Sequence, residues 1–368
     1  MHFCSRWLTH CSRCAIIIIY HFLGSILTTQ NIKRIGFCCK FSEFDSKKGV
    51  VSVPNLNTGG TTITWLNNQK REIAEQKLWD TLQQNITHTY NLVKKVGSLD
   101  PALRMVRLTS DMLTAYTHDN WSYFYKRPDV IARIEQLFAG VGNLAREKDV
   151  RVSFHPGQFC VLASVSEAIV NKSIEEFEYH ADMARYMGYG KKFQDIKINV
   201  HIGGKAGPAG IRAALKRLTP EARNSITIEN DEFSWGLDAS LELADCTPLV
   251  LDIHHHFIST GEYIQATDER IKKVIDSWRG VRPAIHYAMS REDLLVNHST
   301  TTLPNLSTLL EDGFKKQKLR AHSDFMWSNA VNDWAHTHWS WADVQVESKA
   351  KNLASFKLHE QWKKNEIL

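Results

Sequence analysis

Short apolar stretches alternate along the chain with longer segments whose apolar positions recur every three or four residues, and the alternation begins near residue 33. The extended stretches are KRIGF at 33–37, RMVRL at 104–108, RVSF at 151–154, IKINV at 196–200, SITI at 225–228, LVL at 249–251, AIH at 284–286 and DVQV at 343–346. Residues 65–96 place Ile73, Leu78, Leu82, Ile86, Leu92 and Val93 at helical spacing, and 130–146, 167–189, 209–218 and 350–364 read as further helices. Short buried strands joined by helices favour parallel pairing through right-handed crossovers. Eight such steps predict an α/β fold, a closed (β/α)8 TIM barrel, ahead of an open doubly wound sheet, which survives because the boundaries can slide by a few residues.

The residues that stand where these stretches end carry the chemistry. The third gives His155, the fourth His201, the fifth Glu229, the sixth Asp252 with His255 three residues on, the seventh His286 and the eighth Glu347. In a barrel all these ends open on one face, so residues far apart in sequence converge there. Imidazoles and carboxylates are the ligand set for Mn²⁺, Zn²⁺ or Fe²⁺. Each residue also has a plainer reading: Asp252 could cap a helix, and Glu229 could pair with Lys205. Taken together they are poorly explained as packing, because burying uncompensated charge is costly. The pattern predicts a multinuclear metal site at the C-terminal ends of the strands.

Other polar residues leave their readings open. His322, in AHSD at 321–324, lies between the seventh and eighth strands, and spacing alone does not decide whether it completes the site. His254 and His256 flank His255 and, if the strand continues, point away from it. His336 and His338 fall in a Trp-rich segment, 334–341, readable as packing or as a binding surface. After His155 the turn Pro156-Gly157 leaves the amide of Gln158 beside the ring of Phe159 on a loop tip.

Composition adds less. The 368 residues are 43% apolar and 23% charged, and a net charge of +5 suits a polyanionic partner without requiring one. The 17 histidines are consistent with a metal site, while seven cysteines without repeated CxxC pairs indicate neither a disulfide framework nor a zinc ribbon. A reducing cytoplasm is the simplest setting. Residues 1–31 differ from the rest: they hold three cysteines and an apolar run at 15–27 that is short for a membrane span and lacks a clear small-residue cleavage site. They read as an extension or a mis-started segment with a minor targeting alternative, ahead of a barrel domain at 32–368.

The ordered motifs RIGF, RLTSD, HPGQF, VHIGG, IEND, LDIHHH, AIH, AHSD and ADVQVESKAKNLA, spread over residues 32–358, resemble those of the UV damage endonucleases. These are metal-dependent DNA-repair enzymes of the xylose-isomerase-like barrel superfamily. The resemblance implies that His155, His201, Glu229, Asp252, His255, His286, His322 and Glu347 hold a cluster of manganese ions, with His155, Glu229 and Glu347 at the catalytic centre. It implies a damaged double-stranded DNA partner, probed by Gln158 and Phe159, with Phe37 standing where the family often has tyrosine. The implied reaction is hydrolysis of the phosphodiester 5′ of UV photoproducts, starting excision repair, by an intracellular monomer with no stable membrane association. Ala284 departs from the family, which commonly carries there a lysine that can be carboxylated; Lys349 and Lys351 are near in sequence. Lys205, Arg212, Arg282 and Arg291 are candidates to hold phosphates, though each alone reads as solvated surface. An abasic-site endonuclease of the same superfamily, a sugar isomerase or epimerase, and a damage-binding protein with a degraded site are the alternatives.

Overall fold

The computed structural model describes residues 32–366; the expectations for residues 1–31 lie outside the described residues. Eight parallel strands surround one core: β1 (Ile35–Cys38), β4 (Met105–Arg107), β5 (Arg151–Phe154), β6 (Lys197–His201), β7 (Ile226–Glu229), β8 (Leu249–Val250), β9 (Ala284–Tyr287) and β10 (Asp343–Val346). They lie in the order β8-β7-β6-β5-β4-β1-β10-β9. The two ends of that order meet through a parallel bridge between Asp252 and His286, with the His286 amide donating to the Leu251 carbonyl at 3.0 Å. The barrel predicted from the alternation is therefore present, and it closes at two of the candidate ligands.

Helices pack outside the strands because their apolar residues form a single stripe. The longest, Arg71–Gly97, buries Leu78, Leu82, Ile86, Leu92 and Val93, while Ile73 faces solvent. It is not continuous with the turn before it: a separate helix, Ile63–Asn67, is capped by the Thr62 side chain, and the polar run at 67–70 interrupts the helical path. An antiparallel hairpin, β2 (Ser42–Asp45) and β3 (Gly49–Ser52), follows β1 and leaves Phe44 exposed. Among the described residues no helix is long and apolar enough to cross a membrane.

Alternate residues of each strand enter the barrel, and many of them are polar. At the N-terminal ends, the buried Asp343 accepts from Arg151 Nη1 at 2.7 Å, Arg282 Nε at 2.7 Å and the Arg34 amide at 2.9 Å. Arg282 thus ties down the end of the barrel away from the strand-end histidines and is not a phosphate contact. The Trp-rich segment packs: Trp334 Nε1 and His338 Nε2 both reach the Ile264 carbonyl, at 2.9 and 3.1 Å, and Trp339 Nε1 donates to Arg34 O at 3.2 Å.

His338 also gives the protein a pH dependence. Nε2–H donates to the carbonyl, so Nδ1, which is buried without a partner, would have to take the second proton. Burial pushes the imidazole down to about 4, below the ordinary 6.5, and its hydrogen bond to Ile264 only partly opposes this. The unfolded chain then binds a proton first, so stability present at pH 7 is lost as pH falls from about 6.5 to about 4, by ~1–3 kcal/mol from this group. Urea midpoints of the wild type and His338→Gln at pH 7 and pH 5 check this. The wild type should lose more between the two values, and equal losses would assign the titration elsewhere.

Candidate metal centre

Each strand end delivers its side chain where the sequence placed it. Glu229, the last residue of β7, lies at the centre: its Oε2 is 3.1 Å from His155 Nε2 and 3.8 Å from His201 Nε2, and its Oε1 is 2.9 Å from His286 Nδ1 and 3.7 Å from His255 Nδ1. Asn199 Nδ2 donates to the same carboxylate. The alternative partner Lys205 is exposed, and the groups around Glu229 are these imidazoles. Glu347 stands 3.4 Å from His286 Nδ1, accepts from Arg107 Nη1, and is 3.9 Å from His322 Nδ1. Three sets have donor atoms within 4.8 Å of one another: His155, Glu229 and His286; His201, Glu229 and His255; Asp252, His286 and Glu347. They include seven of the eight expected residues, and His322 flanks the third set through Glu347.

Asp252 caps a helix through one oxygen and turns the other to the cluster. Its Oδ1 accepts from the His254 and His255 amides at 2.8 and 2.7 Å, capping the helix Ile253–Thr260. Its Oδ2 is buried with no hydrogen-bond partner, 3.7 Å from His255 Nδ1. The strand does not continue past Asp252, so the direction of His254 and His256 follows from the helix rather than from alternation. His256 Nε2 meets Glu262 at 2.9 Å, and the His254 ring packs near Phe257 and His322.

Two of the histidines are oriented as metal-binding imidazoles are, with the second ring nitrogen donating to a backbone carbonyl. His155 Nδ1 donates to Pro156 O at 2.8 Å and His255 Nδ1 to Asn230 O at 3.0 Å, which turns His155 Nε2 toward Glu229 Oε2 at 3.1 Å and His255 Nε2 toward Glu232 Oε2 at 3.6 Å. The electrostatics point the same way. Burial pushes the Asp252 carboxyl well above the ordinary range; His255 opposes this, and the charges of Glu229 and Glu347 add to it. Burial also acts upward on Glu229, but His286, His201 and His155 outweigh it and hold that carboxyl well below its ordinary value. The His255 imidazole, which burial alone would depress, is raised to about 9 by Asp252, Glu229 and Glu232. Three carboxylates share one buried cluster, and its own imidazoles leave Asp252 Oδ2 without a hydrogen bond. Divalent cations offset such charge, so the donor set and the partnerless Asp252 Oδ2 fit a metal centre.

Above the cluster lies a cleft of about 640 Å³ lined by Gln158, His201, Asp231, His255, Arg320 and Glu347, among others. Phe159, beside Gln158, is 86% exposed. Phe37 corrects the reading made for it: the ring is buried, edge-on to Phe41 with centroids 5.8 Å apart, and packs the core instead of facing a duplex. Arg212 and Arg291 are engaged by Asp245 and Asp293. Ala284 is buried with Met105, Val250 and Trp278, and Lys349 pairs with Asp324 at the surface.

Sequence reasoning missed several neighbours of the site. Lys197 Nζ is 2.8 Å from His286 Nε2, and burial pulls its amine down to about 7 against the opposing charge of Glu229. Glu232 Oε2 is 3.6 Å from His255 Nε2 and its other oxygen accepts from Arg320 at 2.7 Å. Lys197 shares the period-two face of Asn199 and His201 in KINVH, and that spacing could have found it.

The profile of the UV-endonuclease UvdE family matches residues 33–367. The chain belongs to that family. A UV DNA damage endonuclease of Bacillus cereus is 23% identical over 309 residues, covering 81% of this chain and 86% of its own length. One from Bacillus velezensis is 24% identical over 314 residues, covering 82% and 88%. The solved structure of SacUVDE shares the fold, with a TM-score of 0.66 and 20% identity over 91% of this chain and 99% of that one.

Proposed function

We propose that this UvdE-family endonuclease hydrolyses the phosphodiester bond on the 5′ side of UV photoproducts in duplex DNA, with manganese held by His155, His201, Glu229, Asp252, His255, His286, His322 and Glu347. The observation that carries the reading is the convergence of seven imidazoles and carboxylates from the ends of six strands into overlapping sets within 4.8 Å. A phosphodiester repels nucleophiles through its negative charge; bound divalent cations offset that charge and lower the pKa of water. The chain's own residues do the rest. Glu229 and Glu347 both face His286 Nδ1 and anchor the centre there. Arg107, bonded to Glu347, fixes that carboxylate. His155, held by Pro156 O, presents Nε2 to Glu229.

Recognition rests on the loop tip. A photoproduct stacks poorly and costs less to extrude than a normal step. The exposed Phe159 supplies a ring for the gap and Gln158 an amide for the exposed base edges. An aromatic wedge of this kind senses deformability more than sequence. The ring makes the stacking contact and lacks a hydroxyl, so insertion is apolar.

Phe159→Ala should leave folding intact, because the side chain is exposed. A lost stacking contact is worth about 1–3 kcal/mol per base, so affinity for a dimer-containing duplex should fall ~10-fold or more. Affinity for undamaged duplex should barely change, and titrations of both duplexes by fluorescence anisotropy check the difference. The proposed substrate itself is tested with three end-labelled duplexes, carrying one defined pyrimidine dimer, one abasic site or no damage. A cut immediately 5′ of the dimer is the expected result. Cutting of the abasic duplex alone would move the assignment to abasic-site cleavage.

A further inference from the structure

Lysine is among the residues least often buried, and a buried lysine needs a partner for its nitrogen. Lys197 is the first residue of β6 and is almost wholly buried inside the barrel. Its side chain runs across the interior to β9, where Nζ meets His286 Nε2 at 2.8 Å. At that separation one hydrogen lies between the two nitrogens, whichever of them owns it. The other ring nitrogen, Nδ1, faces Glu229 Oε1 at 2.9 Å and Glu347 Oε1 at 3.4 Å. The ring is therefore held from behind by Lys197 and presents Nδ1 to the carboxylates.

His155 and His255 use a backbone carbonyl for this purpose. His286 differs, because its Nε2 points into the barrel, where the strand backbones are already paired with one another. A side chain long enough to cross the interior is needed, and Lys197 is the one placed there. His286 also belongs to two of the three donor sets, so its orientation governs both.

We infer that Lys197 is a positioning residue of the metal centre, fixing the His286 ring from the barrel interior so that Nδ1 stays aimed at Glu229 and Glu347. The inference rests on the proposed metal centre, but the ring orientation exists without metal and can be read without it.

The test is Lys197→Met, which keeps the length and volume of the chain and removes the nitrogen. In metal-free protein labelled with ¹⁵N-histidine, wild-type His286 should show two well-separated ring-nitrogen shifts, the signature of one fixed tautomer. In the variant they should move toward each other as the tautomers exchange. Mn²⁺ affinity should fall about 10–100-fold, the usual effect of losing the partner behind a metal-binding imidazole. The turnover number should fall with it, while KM for the dimer duplex stays unchanged. The melting temperature of metal-free protein should change little, since removal of the buried amine offsets the partner that His286 Nε2 loses.

Identical His286 shifts and Mn²⁺ affinity in the two proteins would overturn the inference. If Lys197→Met does not fold, wild-type shifts decide it: averaged ring nitrogens would overturn it and separated ones support it. Failure of the wild type to bind Mn²⁺ would count against the metal centre, and the metal-free shifts would still decide the role of Lys197.

Discussion

Glu229→Gln should remove nicking of a dimer-containing duplex by ~10³-fold or more, equivalent to about 4 kcal/mol of transition-state stabilisation. The substitution preserves shape and exchanges one carboxylate oxygen for an amino group. That oxygen matters because Glu229 faces four imidazoles, at 2.9 to 3.8 Å, and belongs to two of the three donor sets. An amide carries no charge to hold cations and offers its N–H groups where bare imidazole nitrogens also need a partner. Mn²⁺ bound per chain should drop in step with activity, while circular dichroism stays that of the wild type. Nicking within about tenfold of wild type, on a tenfold scale of 1.4 kcal/mol, would remove Glu229 from the centre.

Asp252 allows its two oxygens to be separated by experiment. Asp252→Asn keeps an acceptor for the His254 and His255 amides and so keeps the helix cap. What it changes is Oδ2, which has no hydrogen-bond partner. The Asn variant should unfold in urea close to the wild-type midpoint yet lose ~10²-fold or more in nicking, about 3 kcal/mol. Asp252→Ala loses the cap as well and should be less stable by a further ~0.5–2 kcal/mol. Urea unfolding beside Mn²⁺ titration of both variants checks the split. An Asn variant with wild-type nicking and Mn²⁺ binding would mean that Asp252 is only a cap.

Much of this was legible in the sequence, for identifiable reasons. The eight strands could be read because each is a short apolar run flanked by a helical period. The residues at their ends could be read because ionisable groups recurring at six corresponding ends are poorly explained as packing, whatever structural use each has alone. What escaped was decided in three dimensions. The β2–β3 hairpin exposes Phe44 and so lacks the buried face that marks a strand. Phe37 occupies a motif position, but its burial depends on Phe41 and the barrel wall. Lys197 sits in a run that looks apolar, and its partner His286 is 89 residues away. Barrel closure through Asp252 and His286 is a pairing between chain segments that no local pattern encodes.

The most direct test of the central claim, that this cluster is a metal centre that cuts DNA, is single-turnover nicking of a dimer-containing duplex by protein stripped with chelator and reloaded with measured amounts of Mn²⁺. The account predicts no cut in the stripped protein and a return of the 5′ cut as more than one ion per chain is bound. Full nicking by the stripped protein, or a loaded centre that leaves the duplex intact, would contradict it.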